Sequence, residues 1–155
     1  ALKPSIISSI NDYFEKNKKP IILKTNNKTA EMVKYTSNSV LATLISFSNE
    51  IGNLCSSIGD IDVVDVMKGV HLDKRISPIL VNGDRVTPTI TTYLEAGCGF
   101  GGSCFPKDIN ALVHICGKMG IPANVITSAI DTNLMVRPEQ DWKELKGRAI
   151  VEEKA

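Results

Sequence analysis

Aromatic residues are scarce in this chain, with one tryptophan, three tyrosines and four phenylalanines among 155 residues. That scarcity argues against a surface on which nucleic-acid bases stack. Charge of one sign is lacking too, because 18 basic and 17 acidic residues leave a formal net charge of +1. Such a balance fits neither a nucleic-acid tract nor a polybasic membrane anchor. The densest basic run, residues 16–19, reads as a solvated helix end. No stretch approaches the roughly 18 apolar residues of a membrane span. The first residues show no apolar run of the signal-peptide kind. The expectation is a cytoplasmic protein whose Cys55, Cys98, Cys104 and Cys116 are reduced thiols rather than a disulfide frame. What is present is ordinary for one globular domain with a real core: 43% hydrophobic and 23% charged residues.

Along the chain, helical periodicity dominates. Ile6, Ile7, Ile10, Tyr13 and Phe14 recur at helical spacing behind Pro4, and residues 20–25 are short, apolar and β-branched, as in a strand. One helix and one strand make no domain, so they read as the tail of a larger sheet domain. Next, Thr29 is placed as an N-cap, with Glu31 favourable to the helix dipole. Val40, Leu44, Phe47, Ile51, Leu54 and Ile58 then step by four and three, a heptad-like seam that Gly59 ends. Leu41, Ile45 and Cys55 broaden the apolar face, so the spacing predicts a helix of about 30 residues covered from two sides. Its seam fits either a monomer core or a subunit interface.

A shorter helix is expected over residues 61–68, ending at Gly69. Residues 71–103 lack periodicity and hold Pro78, Gly83, Pro88 and a glycine cluster; a loop of that length is uncommon unless functional or flexible. Ile109, Leu112, Val113, Cys116 and Met119 then line a helix stopped by Gly120, and Val125, Ile126, Ala129, Ile130 and Leu134 line another behind Pro122. Arg137-Pro138 opens a polar linker, and residues 147–151 resemble the start of a strand. The fold class is therefore mainly α, with one long helix flanked by remnants of α/β domains.

Two patches carry residues suited to chemistry. In the first, residues 30–38, Lys34 and Asn38 are four apart and project from one helical face. An ammonium and an amide so placed can donate to one oxygen and stabilise a developing oxyanion. The plain alternative is two surface residues. The second patch is Gly97-Cys98-Gly99-Phe100-Gly101-Gly102-Ser103-Cys104-Phe105-Pro106-Lys107-Asp108. Its glycines permit positive φ and close approach of backbone to a ligand. Cys104 lies at the mouth of a helix expected to begin near Pro106, where helix amides and Lys107 favour a thiolate. Asp108, within the first turn, is placed to hold or deprotonate a water.

Three plainer readings compete for this patch. Cys104 can be a buried structural thiol, as Cys55 and Cys116 on apolar faces are expected to be. Cys98, Cys104 and His114 fit no standard zinc spacing, so no metal is expected. A dinucleotide turn, with residues 89–94 as its strand, would need an acidic residue about 20 positions on. That region holds Asn124-Val125-Ile126-Thr127, with no acid before Asp131.

Taken together, the segment from Thr29 to Asn38, with Phe47-Ser48-Asn49-Glu50-Ile51 on the same helix, and the segment Gly99 to Asp108 resemble the UDP-glucose and GDP-mannose dehydrogenase family. The resemblance covers roughly residues 20–137. It implies a central helical domain between two α/β domains: residues 1–28 as the end of an NAD-binding domain, 29–137 as the central domain, and 138–155 as a linker and the start of a third. It implies a homodimer through the long helix, NAD as cofactor and a nucleotide sugar as substrate. It also implies oxidation of the sugar C6 hydroxymethyl to a carboxylate, with UDP-glucose becoming UDP-glucuronate.

By the same resemblance Cys104 matches the nucleophile, Lys34 and Asn38 the oxyanion donors, and Asp108 the residue that activates water. Lys107 matches a lysine close to the cofactor, while Tyr93 and Gly101 match contacts to the nucleotide sugar. Gly69-Val70-His71-Leu72-Asp73-Lys74-Arg75-Ile76 matches a family run whose arginine, here Arg75, reaches the sugar of the partner subunit. An extra segment over residues 80–88 brings in Arg85 as a rival. A non-catalytic helical dimerisation module is the alternative function.

Overall fold

The computed structural model describes residues 22–140, together with Ser8, which is helical. The helix expected around residues 6–14 and the strand-like residues 147–151 otherwise lie outside the described residues. The chain divides into two compact units, residues 1–34 and 35–155.

In the first unit, residues 22–26 are irregular and exposed. The described part of the expected strand, residues 22–25, carries none. A strand exists only when its backbone groups find a neighbour, and among the described residues none pairs with this segment. Asn26 then caps helix α1, Asn27–Ile58. Its Oδ1 accepts the Thr29 N–H at 2.9 Å and its carbonyl accepts the Ala30 N–H at 3.0 Å. The cap is therefore Asn26 rather than Thr29, because the side chain that reaches the third helical amide belongs to the residue before the helix.

The second unit carries the rest of α1, then α2 (Val63–His71), a 3-10 helix (Thr89–Tyr93), α3 (Cys104–Lys118) and α4 (Asn124–Val136). Among the described residues the β structure is limited to one isolated antiparallel bridge, Ile79 to Arg85. The mainly α reading holds. Gly59 (φ +80°) and Gly120 (φ +66°) stop α1 and α3 in the left-handed conformation expected of them. Gly69 does not stop α2. The helix starts on Asp62, whose side chain accepts the Val64 N–H at 2.8 Å, and runs on to His71. A glycine inside an exposed helix costs only about 1 kcal/mol, too little to end one.

The face that α1 buries only partly coincides with its apolar seam: Leu44 packs against the core and Ile51 is half-buried. Val40, Phe47, Leu54 and Ile58 are at least half exposed, whereas Ser39, Ala42, Ile45, Ser46 and Asn49 are buried. These small and polar residues also recur at steps of three and four. Ser46 and Asn49 can be buried because their polar atoms find partners: Ser46 Oγ donates to the Ala129 carbonyl at 2.6 Å and Asn49 Nδ2 to the Ile45 carbonyl at 2.8 Å. The Ser39 hydroxyl, also buried, has no partner among the described residues. Through the Ser46 bond α4 meets α1 at Ala129. Around them Ala42, Ile45, Met67, Leu94, Phe100, Ile109 and Ala129 form the core. On α4 and at the end of α3, Val125 and Met119 turn outward, while Thr132 and Asn133 go inside.

The long aperiodic stretch is tied down by side chains and one short helix. Arg85 Nη1 donates to the carbonyls of Leu72 (2.7 Å) and Ser77 (2.8 Å), closing the loop between α2 and the bridge. Residues 89–93 are a 3-10 helix, so no strand feeds the glycine cluster. Gly52 lets residue 96 reach α1: a Cβ there would lie 2.8 Å from Ala96 Cβ. Gly52→Val in the full-length protein is therefore expected to cost about 1–3 kcal/mol by overpacking, read as a lowered urea midpoint with unchanged slope.

Candidate active site

Helix α3 opens on Cys104, two residues earlier than Pro106 marks it, and Pro106 falls in the first turn, where its missing N–H costs nothing. Cys104 is exposed, so the expectation of a structural thiol fails for it; Cys55 is buried as expected, and Cys116 is half-buried. The Ser103 hydroxyl lies 3.9 Å from the Cys104 sulfur. Cys98 is also exposed.

One turn further along α3, Asp108 is fully buried and sits in the second turn rather than the first. Asn38 Nδ2 donates to its Oδ2 at 2.5 Å, and Lys107 Nζ donates to its Oδ1 at 2.6 Å. A buried carboxylate needs such partners, since an unpaired one is heavily penalised. The Lys107 side chain is 46% exposed, and its ammonium also lies 6.0 Å from the centre of the Tyr35 ring. Asn38 of α1 thus joins Lys107 and Asp108, on the helix that Cys104 opens, in one hydrogen-bonded group. Lys34 is exposed on α1, one helical turn before Asn38 in the sequence.

A cleft of about 330 Å³ is lined by residues 95–101 with Ile45, Tyr93 and Phe105; Cys104, Asn38, Lys107 and Asp108 are not among its lining residues. Tyr93 and Gly101, both expected to contact a sugar nucleotide, meet there. Gly99 and Gly102 have φ of +64° and +72°. Those values lie in the left-handed region that favours glycine.

Arg75 and Arg85 separate cleanly. Arg85 is committed to two main-chain carbonyls. Arg75, with 86% of its side chain exposed, is held by Asp73 through Nε and by Nη2 at 2.6 Å. The side-chain bond from Arg75, and then its main-chain N–H, hold the Asp73 carboxyl well below the usual carboxylate range. The Asp73 carboxylate in turn raises the Arg75 guanidinium. Arg75 does not line the cleft of its own chain.

Two functional candidates were not legible in sequence: Asn49 accepts the Gly97 N–H at 2.7 Å, and Asn133 accepts the Phe100 N–H at 2.7 Å. An isolated asparagine within an apolar periodicity gives no signal of what it holds. Among the described residues no three histidine, cysteine or carboxylate groups come together as metal ligands. No described helix is long and apolar enough to cross a membrane.

Comparison with known proteins agrees with this architecture. Residues 28–134 match the central domain of the UDP-glucose/GDP-mannose dehydrogenase family. The chain is 46% identical over 112 residues to UDP-glucose 6-dehydrogenase TuaD of Bacillus subtilis, a match covering 72% of this chain and 21% of that protein. It is 46% identical over 109 residues to UDP-glucose 6-dehydrogenase of Rickettsia bellii, covering 70% and 22%. The solved UDP-glucose dehydrogenase of the hyperthermophilic archaeon Pyrobaculum islandicum superposes with a TM-score of 0.68 at 33% identity, covering 86% of this chain and 27% of that one. The matched part thus spans about a fifth of the length of these curated relatives. With a long helix, a glycine loop and an exposed cysteine at a helix start all matched in one stretch, the chain belongs to the UDP-glucose/GDP-mannose dehydrogenase family, of which it carries the central domain.

Proposed function

We propose that this chain is the central part of a cytoplasmic, NAD-dependent oxidoreductase that converts the C6 hydroxymethyl of UDP-glucose to the carboxylate of UDP-glucuronate. The observation that carries this reading is the group formed by Asn38, Lys107 and the buried Asp108 on the helix opened by the exposed Cys104. Oxidation of an alcohol to an acid takes two oxidations, and the intermediate aldehyde must not escape. A thiol adduct answers both needs, because it holds the aldehyde covalently and turns it into a hydride donor.

The Cys104 thiolate adds to C6 of the aldehyde, forming a C–S bond and moving the carbonyl electron pair onto oxygen. Asn38 has two amide hydrogens; one goes to Asp108, and the other is offered to that oxygen, with the Lys34 ammonium as second donor. Loss of hydride from C6 leaves a thioester on Cys104. Water then adds to the thioester carbon, the C–S bond breaks and the thiolate leaves. Asp108 takes the proton of that water.

NAD, when bound, accepts the hydride in each of the two oxidations. Lys107 is a cofactor contact, as the family resemblance implies; its ammonium is half-exposed, which suits the anionic cofactor. Most of the remaining cofactor contacts belong to the domain that residues 1–28 end, with residues 29–137 as the central domain and 138–155 leading to a third. Tyr93 and Gly101 take the nucleotide sugar in the cleft.

Two copies meet through α1. Val40, Phe47, Leu54 and Ile58 form an exposed apolar seam at steps of seven, seven and four, a pattern that a second α1 can cover. Arg75, extended from the surface and free of carbonyl contacts of the kind that bind Arg85, reaches the sugar in the partner's cleft.

In the full-length protein supplied with UDP-glucose and NAD, Cys104→Ser is expected to abolish UDP-glucuronate formation, while Asp108→Asn slows release of the acid from the enzyme. Full turnover by Cys104→Ser would end the nucleophile assignment. Phe47→Asp with Leu54→Asp should convert a sedimenting dimer to monomer; an unchanged sedimentation coefficient counts against the α1 interface. Iodoacetamide at neutral pH is expected to label Cys104 at least about tenfold faster than buried Cys55, checked by peptide mass spectrometry.

A further inference from the structure

We propose that Asn49 and Asn133 are positioning residues for nucleotide-sugar binding, acting through the main chain of residues 97–100. The proposal rests on the reading above, in which the cleft takes UDP-glucose. Four of the six residues from Gly97 to Gly102 are glycine. Such a loop has many more conformations to lose on ordering than one of ordinary composition. A ligand that had to order it would bind correspondingly weakly, so a tight site needs the loop shaped beforehand.

Two buried amides supply that shape. Asn133 of α4 is 1% exposed and spends both ends of its amide on one residue. Its Oδ1 accepts the Phe100 N–H at 2.7 Å and its Nδ2 donates to the Phe100 carbonyl at 3.0 Å, as a neighbouring strand would. Asn49 of α1 is 2% exposed. Its Oδ1 accepts the Gly97 N–H at 2.7 Å, and its orientation is fixed because Nδ2 donates to the Ile45 carbonyl. The fit between them is close: a Cβ on Gly99 would collide with Asn133 Oδ1 and lie 2.9 Å from Val136 Cγ2. The Phe100 ring is buried edge-on against Phe105, centroids 6.2 Å apart, which anchors the same residue from its side chain. Neither asparagine lines the cleft, so each acts on a ligand only through the loop it holds.

The test uses the full-length protein, with Asn49→Ala, Asn133→Ala and, from the loop side, Gly99→Ala. The dissociation constant for UDP-glucose is measured by calorimetry, with kcat and both KM values. Each variant is expected to bind UDP-glucose about tenfold or more weakly. KM for NAD and the labelling rate of Cys104 should stay at wild-type values. Variants that fold and bind UDP-glucose as wild type does overturn the proposal. So do variants whose KM for NAD rises by the same factor, since that marks general loosening.

Amide hydrogen exchange on the wild-type protein gives a second measurement free of any variant. The Gly97 and Phe100 amides should be protected before ligand is added, and fast exchange at both overturns the proposal. A wild-type protein that neither binds nor oxidises UDP-glucose overturns the underlying function as well. Binding by wild type and variants alike overturns the positioning role alone.

Discussion

The carboxylate of Asp108 is buried completely, and an ion in that position is tolerated only if both oxygens are answered. One answer comes from its neighbour Lys107, the other from Asn38 on a helix 70 residues earlier in the chain. This bond ties α1 to the start of α3. It does so one turn from the cysteine that opens α3, so the interaction that makes the burial of Asp108 tolerable also fixes the surroundings of the thiol. Fold and chemistry depend on the same contact. An apolar residue at position 108 would pack there without help and would leave Asn38 with nothing to hold it.

The remainder of the site follows from how α1 divides its surface. One stripe, with Ser39, Ala42, Ile45, Ser46 and Asn49, is narrow and polar enough to let α4 and the glycine loop come close. The stripe beside it is apolar and faces outward. A helix that buries its small residues internally and presents Phe47 and Leu54 to the outside is built to meet something else, and in the proposed assembly that is its own copy. The glycine loop is then held between two asparagines as well as by the packing of the Phe100 ring.

Much of this was legible in the sequence. The long helix, its stop at Gly59, the two later helices and the helical class all follow from periodicity and glycine position. Cys104 and Asp108 stand out because a glycine-rich turn delivers both to one helix end. What was not legible has physical causes. Periodicity cannot say which of two stripes faces the core. Val40, Phe47, Leu54 and Ile58 of α1 are exposed while Ser46, Ser48 and Asn49 are buried, because those serines and that asparagine bond to helix carbonyls and cost little. Gly69 failed as a stop because no left-handed turn is required there. Asn26 took the cap from Thr29 by one side-chain hydrogen bond. Arg85 and Arg75 differ in sequence by nothing that foretells that one is consumed by carbonyls and the other stands out from the surface. The two clamping asparagines depend on contacts 48 and 33 residues distant, which no local pattern encodes.

The bond between residues 38 and 108 is tested most directly by a double-mutant cycle on acid formation in the full-length protein. Asn38→Ala and Asp108→Asn are made singly and together, and UDP-glucuronate production is timed for each. If the two side chains act as one unit, the double variant is scarcely slower than the slower single variant. Losses that multiply in the double variant would mean the residues act independently, and the account built on their contact would be contradicted.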